Sequence, residues 1–571
     1  MNHSLSSVCQ KLKLDTLRPD VNFGMGSCSM RTAALLLLLA SPPGFAQTAA
    51  LPSTPATTPA PFPGGPSTPL GQQVLAITSA PAATRAHWGI AVTALDGTPI
   101  YGLNEGEFFR PASNNKLFTT AAAMHLLGPS TRVSTTATAY ARVDKHGTLK
   151  GDLNLNGVGD ANLSGRTFPY QSPSERKRDA AQQPPPPLRY LDELAAALAQ
   201  KGVRKITGHI IGNDVAWPWE PYANDWSIDD AVWGYGAPVS ALTIVDNQLD
   251  LSVVPAGRID QPATVALTPN TGYYEIKAEV KTAAAGSHAD IRIDRDMGSR
   301  IVRVRGTVAL GEPYSTEIAI EDPAEFAAQA FKQALEAHGI KVEGKAVALH
   351  KPDVDMQGFF TESHDPVPTL PQAAQNPDTA NNPPIGSTSS LQIEHSSPTL
   401  AEDVKLTLKV SQNLHAELLL HRLGRQYGTE GSAAQGARVV RQFLLNAGLD
   451  GDDFVFYDGS GLSGHDLVTP RATARLLTYA TSQPWFSQWK AALPVGGEDG
   501  TLAGRFSKPP LKDHLFAKTG TLSEARALSG YVDCASGNTV IFSVMVDNHA
   551  PNTPADREAM DAIVAAIAAN N

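Results

Sequence analysis

Apolar positions recur along this 571-residue chain with two different periods, and each change of period marks an element. Residues 87–95 are almost continuously apolar and close on Asp96-Gly97, which predicts a buried strand, a tight turn and a second strand at 99–102. From 113 to 127 the spacing turns helical, with Leu117, Ala121 and Met124 on the buried face. Pro111 restricts the entry to this helix, Gly128 ends it and Pro129 prevents its continuation. Asp322-Pro323 opens a helix that runs to about 338 and stops at Gly339. Further helices are predicted at 400–423, 431–447 and 556–569, and strands at 515–520, 527–532 and 539–547.

The middle of the chain has a different texture. Residues 133–391 are strand-rich, with alternating runs such as 301–308, and carry two low-complexity loops at 171–187 and 365–398. Strands with flanking helices at both ends of the chain, 71–132 and 392–571, enclose this stretch. That order predicts an α/β domain split by a large β-rich insertion of one or two domains.

The first 46 residues read as a secretory signal peptide: Arg31, a short apolar core at 35–39, and small residues at the break near Ala46. The apolar stretch is too short to span a bilayer. Residues 47–70 are rich in Pro, Thr and Ala and form a tether. The expected location is therefore periplasmic. The Ala-rich helix at 556–569 has little bulky apolar area, so core packing is expected of it and a membrane anchor is not. With 46 basic and 56 acidic side chains the net charge is −10, which argues against a nucleic-acid partner. Cys9 and Cys28 lie in the signal segment, so Cys534 is left alone, at the end of a predicted strand and with nothing basic beside it.

Three short segments far apart carry candidate chemistry: Ser113-Asn114-Asn115-Lys116, Ser411-Gln412-Asn413 and Lys518-Thr519-Gly520. Acyl transfer needs an activated nucleophile, a base, a proton route to the leaving group and donors for the oxyanion. Ser113 stands at a helix start, where free N–H groups and the positive dipole end favour an oxyanion. Lys116 is one turn on and shares its face. A lysine acts as a base only when neutral, and burial plus a second positive charge from Lys518 are expected to depress it. Ser411 and Asn413 are expected to project inward from a hairpin-like turn, Ser411 relaying protons and Asn413 orienting Lys116. Lys518 also suits a substrate carboxylate, as do the Thr519 and Thr521 hydroxyls, while Gly520 permits close backbone approach. Asp458, Ser460 and His465 lie within eight residues, where a turn and not a triad is the natural reading. His415 and His421 do not share a helical face and no H-E-x-x-H occurs, so neither a metal site nor a cofactor is expected.

In this combination the chain resembles the D-alanyl-D-alanine carboxypeptidase/endopeptidase family, the class C low-molecular-mass penicillin-binding proteins (peptidase family S13). Four further segments carry the resemblance: 157–163, 234–242 with Asp246-Asn247 after it, Asp458-Gly459-Ser460-Gly461-Leu462-Ser463, and the K-T-G strand. The first reads G-D-A-N-L where G-D-P-T-L is usual. About 300 residues part Ser113 from Ser411, as this family's insert requires and β-lactamases do not. The resemblance implies a β-lactamase-like transferase domain that cleaves D-Ala bonds of peptidoglycan stem peptides and is acylated by β-lactam antibiotics. It implies Ser113 as nucleophile, Lys116 as base, Ser411 and Asn413 as the second pair, and Lys518 with Thr519 at the substrate carboxylate. Asp214, in the insert, is a candidate contact for the stem peptide, with a surface-loop carboxylate as the alternative. A β-lactamase with fast deacylation and an inactive wall-binding scaffold are the rival readings.

Overall fold

The strands at the two ends of the chain meet in one antiparallel sheet, ordered 515–521, 525–533, 539–547, 87–94, 99–103. The structure is a computed structural model that describes residues 61–178, 185–352, 358–367, 369–371, 390–550 and 553–571. The expected signal segment and the tether up to residue 60 lie outside the described residues, as do 179–184 and 372–389 of the two low-complexity loops.

Alternation along the strands sorts their side chains onto two faces. Ala91, Ala527, Tyr531, Ile541 and Met545 enter one core, shared with the helices Asn115–Leu126, Leu400–Val410, Asn413–Tyr427 and Pro470–Thr481. Their sequence neighbours Ile90, Val92, Leu528, Val532, Phe542 and Val546 enter a second core. That second core is closed by Leu70 and Val74 of the helix Pro69–Thr78 and by Met560, Ile563, Val564 and Ile567 of the helix Ala555–Asn570. The closing helix thus spends its apolar face inside the protein, and among the described residues no helix is long and apolar enough to cross a membrane.

Between these strands the chain builds a third core on mixed sheets. The largest is ordered 346–351, 210–218, 153–156, 134–139, 391–396, with its first three strands parallel. The helix Pro323–Ala337 packs on it, capped by the Asp322 carboxylate on the Glu325 N–H at 2.9 Å. Three three-stranded sheets, 275–283/301–309/290–294, 314–319/248–254/264–268 and 341–342/205–206/148–149, also belong to this region. The architecture is mixed α/β with a large β-rich insertion.

One expected element breaks in two. The helix predicted over 400–423 is the helix Leu400–Val410, started by a Thr399/Glu402 capping box, then a second helix Asn413–Tyr427. Ser411 between them sits in the left-handed region at φ 60°, which no helix tolerates. Gln412 starts the second helix by accepting the Leu414 N–H on its side chain at 3.0 Å.

Candidate active site

The helix Asn115–Leu126 is buried along its whole length and is preceded by a tight turn, Ala112–Asn114. Ser113 lies in that turn, half-buried between buried neighbours, so its hydroxyl opens toward solvent at the head of a buried rod. One turn on, the fully buried Lys116 places Nζ 2.9 Å from Ser113 Oγ, 2.7 Å from Asn413 Oδ1 and 2.7 Å from the Ser460 carbonyl. Asn413 is oriented because its Nδ2 donates to the Tyr235 carbonyl at 2.8 Å. Lys116 therefore faces two oxygens that only accept. A neutral amine gives them both of its N–H bonds and keeps its lone pair for Ser113.

The second motif is a helix junction and not the hairpin-like turn expected of it. The left-handed Ser411 reverses the chain so that Ser411 and Asn413 face the same centre. Ser411 Oγ accepts from Lys518 Nζ at 2.8 Å, and the same amine donates to the Thr519 carbonyl at 2.8 Å. Lys116 thus joins the first motif to the second, and Lys518 joins the second to the third.

The third motif lies on the strand Leu515–Thr521, paired along its length with Ala525–Asp533. A methyl group on Gly520 would come within 2.5 Å of the Pro111 carbonyl, so the missing side chain serves the approach of this strand to the backbone beside Ser113. Lys518 is fully buried beneath this edge. The hydroxyls that face out here are those of Thr519, which donates to Thr501 Oγ1 at 2.8 Å, and of the exposed Thr521.

Burial pulls the Lys116 amine down to about 8, opposed by the carboxyls of Asp458, Glu417 and Asp466. Burial, then the charge of Lys116, holds Lys518 well below the ordinary lysine range.

Asp458 organises the loop behind Lys116. Its carboxylate accepts the backbone N–H groups of Ser460, Gly461 and Ser463 and the Trp226 indole N–H. This loop contributes the Ser460 carbonyl, which sequence reasoning missed because a backbone oxygen carries no residue signature. Asn115 ties Asp458 to Asp466, donating to their side chains at 3.2 and 2.9 Å. His465, exposed and pairing with Asp225, takes no part, so Asp458, Ser460 and His465 form a turn and no triad.

Asp214 is no surface-loop carboxylate. It sits on the strand Ile210–Pro218, 2% exposed, with the Ser240 hydroxyl at 2.9 Å and His350 Nδ1 at 2.9 Å. His415 is buried between Asp403 at 2.7 Å and Asp246 at 3.3 Å, and His421 binds the Gly431 carbonyl. Among the described residues no group of three or more potential metal ligands occurs. Cys534 is buried at a strand end, and burial pushes its thiol up to about 11.

Comparison with known proteins fits this geometry. The model of the D-Ala-D-Ala carboxypeptidase 3 (S13) family matches residues 70–365 and 379–570. The chain is 32% identical over 514 residues to a D-alanyl-D-alanine carboxypeptidase of Actinomadura sp. (strain R39), covering 88% of this chain and 85% of that protein. It is 23% identical over 455 residues to D-alanyl-D-alanine carboxypeptidase DacB of Haemophilus influenzae, covering 78% and 82%. The crystal structure of penicillin binding protein 4 (dacB) from Haemophilus influenzae superposes with a TM-score of 0.68 at 22% identity, over 86% of this chain and 97% of that one. The same protein complexed with a β-lactam superposes with a TM-score of 0.63 at 21% identity, again over 86% and 97%. These superpositions establish a shared fold.

Proposed function

Because the chain belongs to the D-Ala-D-Ala carboxypeptidase 3 (S13) family of serine peptidases, we propose that it cleaves D-Ala bonds of peptidoglycan stem peptides through an acyl-enzyme on Ser113. The observation that carries this reading is the position of the Lys116 amine, 2.9 Å from Ser113 Oγ and with its other contacts taken by Asn413 and Ser460.

In acylation, neutral Lys116 takes the Ser113 proton as Oγ attacks the carbonyl of the penultimate D-Ala. The backbone N–H groups of Ser113 and Thr521 stabilise the resulting oxyanion. The C–N bond then breaks, and the leaving amine takes the Ser411 hydroxyl proton. Ser411 recovers a proton from the lysine pair, through the Lys518 amine bound to it at 2.8 Å. In deacylation Lys116, neutral again, takes a proton from water as the water oxygen attacks the ester. The Thr519, Thr501 and Thr521 hydroxyls receive the terminal carboxylate of the substrate. A β-lactam opens on Ser113 by the same first step and leaves slowly, because its amine stays tethered.

This reading includes export by residues 1–46 to the periplasm, and a catalytic domain made from 71–132 and 392–571 around the insert 133–391. Incubation with a stem pentapeptide ending in D-Ala-D-Ala tests it. Free D-alanine is expected from the wild type and none above background from Ser113→Ala; undiminished release by Ser113→Ala contradicts it.

A further inference from the structure

Helix Asn413–Tyr427 presents two residues one turn apart to the acylation centre. Asn413 holds Lys116 directly. Glu417, four positions on and 1% exposed, holds the loop that supplies the other acceptor of Lys116: both of its oxygens face the Gly459 N–H, at 3.2 and 3.0 Å.

The peptide unit at Gly459 is gripped from two helices. Its carbonyl accepts from Thr119 Oγ1 of the helix Asn115–Leu126 at 2.8 Å, while its N–H points to Glu417. A methyl group at Gly459 would come within 2.6 Å of the Ala416 carbonyl, so the loop lies directly on the helix that carries Glu417. The next carbonyl, that of Ser460, is the one that meets Lys116 Nζ at 2.7 Å.

We propose that Glu417 is a positioning residue of the acylation centre. By accepting the Gly459 N–H it fastens the loop to this helix, so that Ser460 and Asn413 present their oxygens to Lys116 together. When ionised, it makes the Lys116 amine hold its proton more tightly. The inference rests on the reading of Ser113 and Lys116 given above and adds the group that governs their charge.

Burial and then the Asp458 carboxylate push the Glu417 carboxyl up to about 8, against the opposing pull of Ser460, the Gly459 N–H and Lys116. Asp466 is raised well above the ordinary range by the same two causes. Lys518, on the K-T-G strand, is held well below the ordinary lysine range by burial and then by Lys116. Asp458 is the carboxyl that Lys116 feels most, followed by Glu417. A second carboxylate would hold the lysine proton more tightly.

The test is the rate of covalent labelling by a fluorescent penicillin between pH 6 and 10, with the adduct mapped by mass spectrometry, in the wild type, Glu417→Gln and Glu417→Ala. Glu417→Gln keeps an oxygen that can accept the Gly459 N–H and removes the group that can ionise beside Lys116. It is expected to stay labelled at Ser113 with the acid limb of its profile moved to lower pH, by roughly half a unit or more. Glu417→Ala loses the fastening of the loop and is expected to label at least about tenfold more slowly at every pH. A Glu417→Gln profile that superposes on the wild type, or falls with Glu417→Ala without moving its limb, overturns the proposal while leaving the Ser113 reading intact. Absence of the Ser113 adduct in the wild type overturns that reading and this one with it.

Discussion

Gly520 faces the Pro111 carbonyl so closely that even a methyl group would stand 2.5 Å from the oxygen and 3.2 Å from the Ala112 Cβ. The contact sets how near the K-T-G strand comes to the turn holding Ser113, and it joins the last motif of the chain to the first. Gly520→Ala has to push backbone, which cannot rotate aside as a long side chain can. Acylation by penicillin is expected to slow at least about tenfold, since a displacement near 1 Å is costly in a preorganised site, with stability lowered by about 1–3 kcal/mol. Stopped-flow labelling and a thermal melt check both. An unchanged rate would show that this approach does not position the site.

The Lys116 amine, drawn down to about 8 by burial, sets the pH dependence of the first step. The reactive form is the neutral one, so at pH 7 about a tenth of the molecules carry it. The rate of acylation is expected to climb about tenfold per pH unit below 8 and to level off above. A rate that is flat from pH 6 to 9 would remove Lys116 from the role of base.

The imidazole of His415 links the insert to the second motif, because Asp246 comes from the insert and Asp403 from the helix before Ser411. Asp246 is itself held by Arg166 and stands in a run of three left-handed residues, Val245 to Asn247. Against the pull of burial, Asp403 and Asp246 raise the imidazole to about 9, above its unfolded value near 6.5. A group raised in the folded state stabilises fully below its unfolded value and loses that contribution as pH rises through the folded value. The melting temperature of the wild type is expected to exceed that of His415→Gln at pH 6, with the gap closing between pH 8 and 10. A gap independent of pH would mean that charge on His415 contributes nothing.

Local signals account for what could be read from the chain, and contacts across the chain account for what could not. The spacing of Ser113 and Lys116 is one helical turn, and Gly128 marks the helix end at a φ of 87°, so both follow from sequence alone. The junction at Ser411 is different: nothing in Ser-Gln-Asn says that the chain turns left-handed there between two helices. Two amphipathic helices, Arg189–Gln200 and Pro470–Thr481, are missing from the expected set although their signals are present. Leu191, Leu194, Ala195 and Leu198 follow the i, i+3, i+4, i+7 pattern, and Thr469 caps a helix that opens on Pro470. Glu417 and the Ser460 carbonyl gain their significance from packing about 300 residues away from Lys116, which no local pattern encodes. Asp214 shows the converse, a polar residue in an ordinary-looking segment whose partner His350 lies 136 positions later.

The most direct test of the central claim is mass mapping of the penicilloyl adduct after brief exposure to labelled penicillin at pH 8. The account predicts one adduct on the peptide that contains Ser113, strongly slowed in Lys116→Ala and absent from Ser113→Ala. An adduct on any other residue, or undiminished labelling of Ser113→Ala, would contradict it.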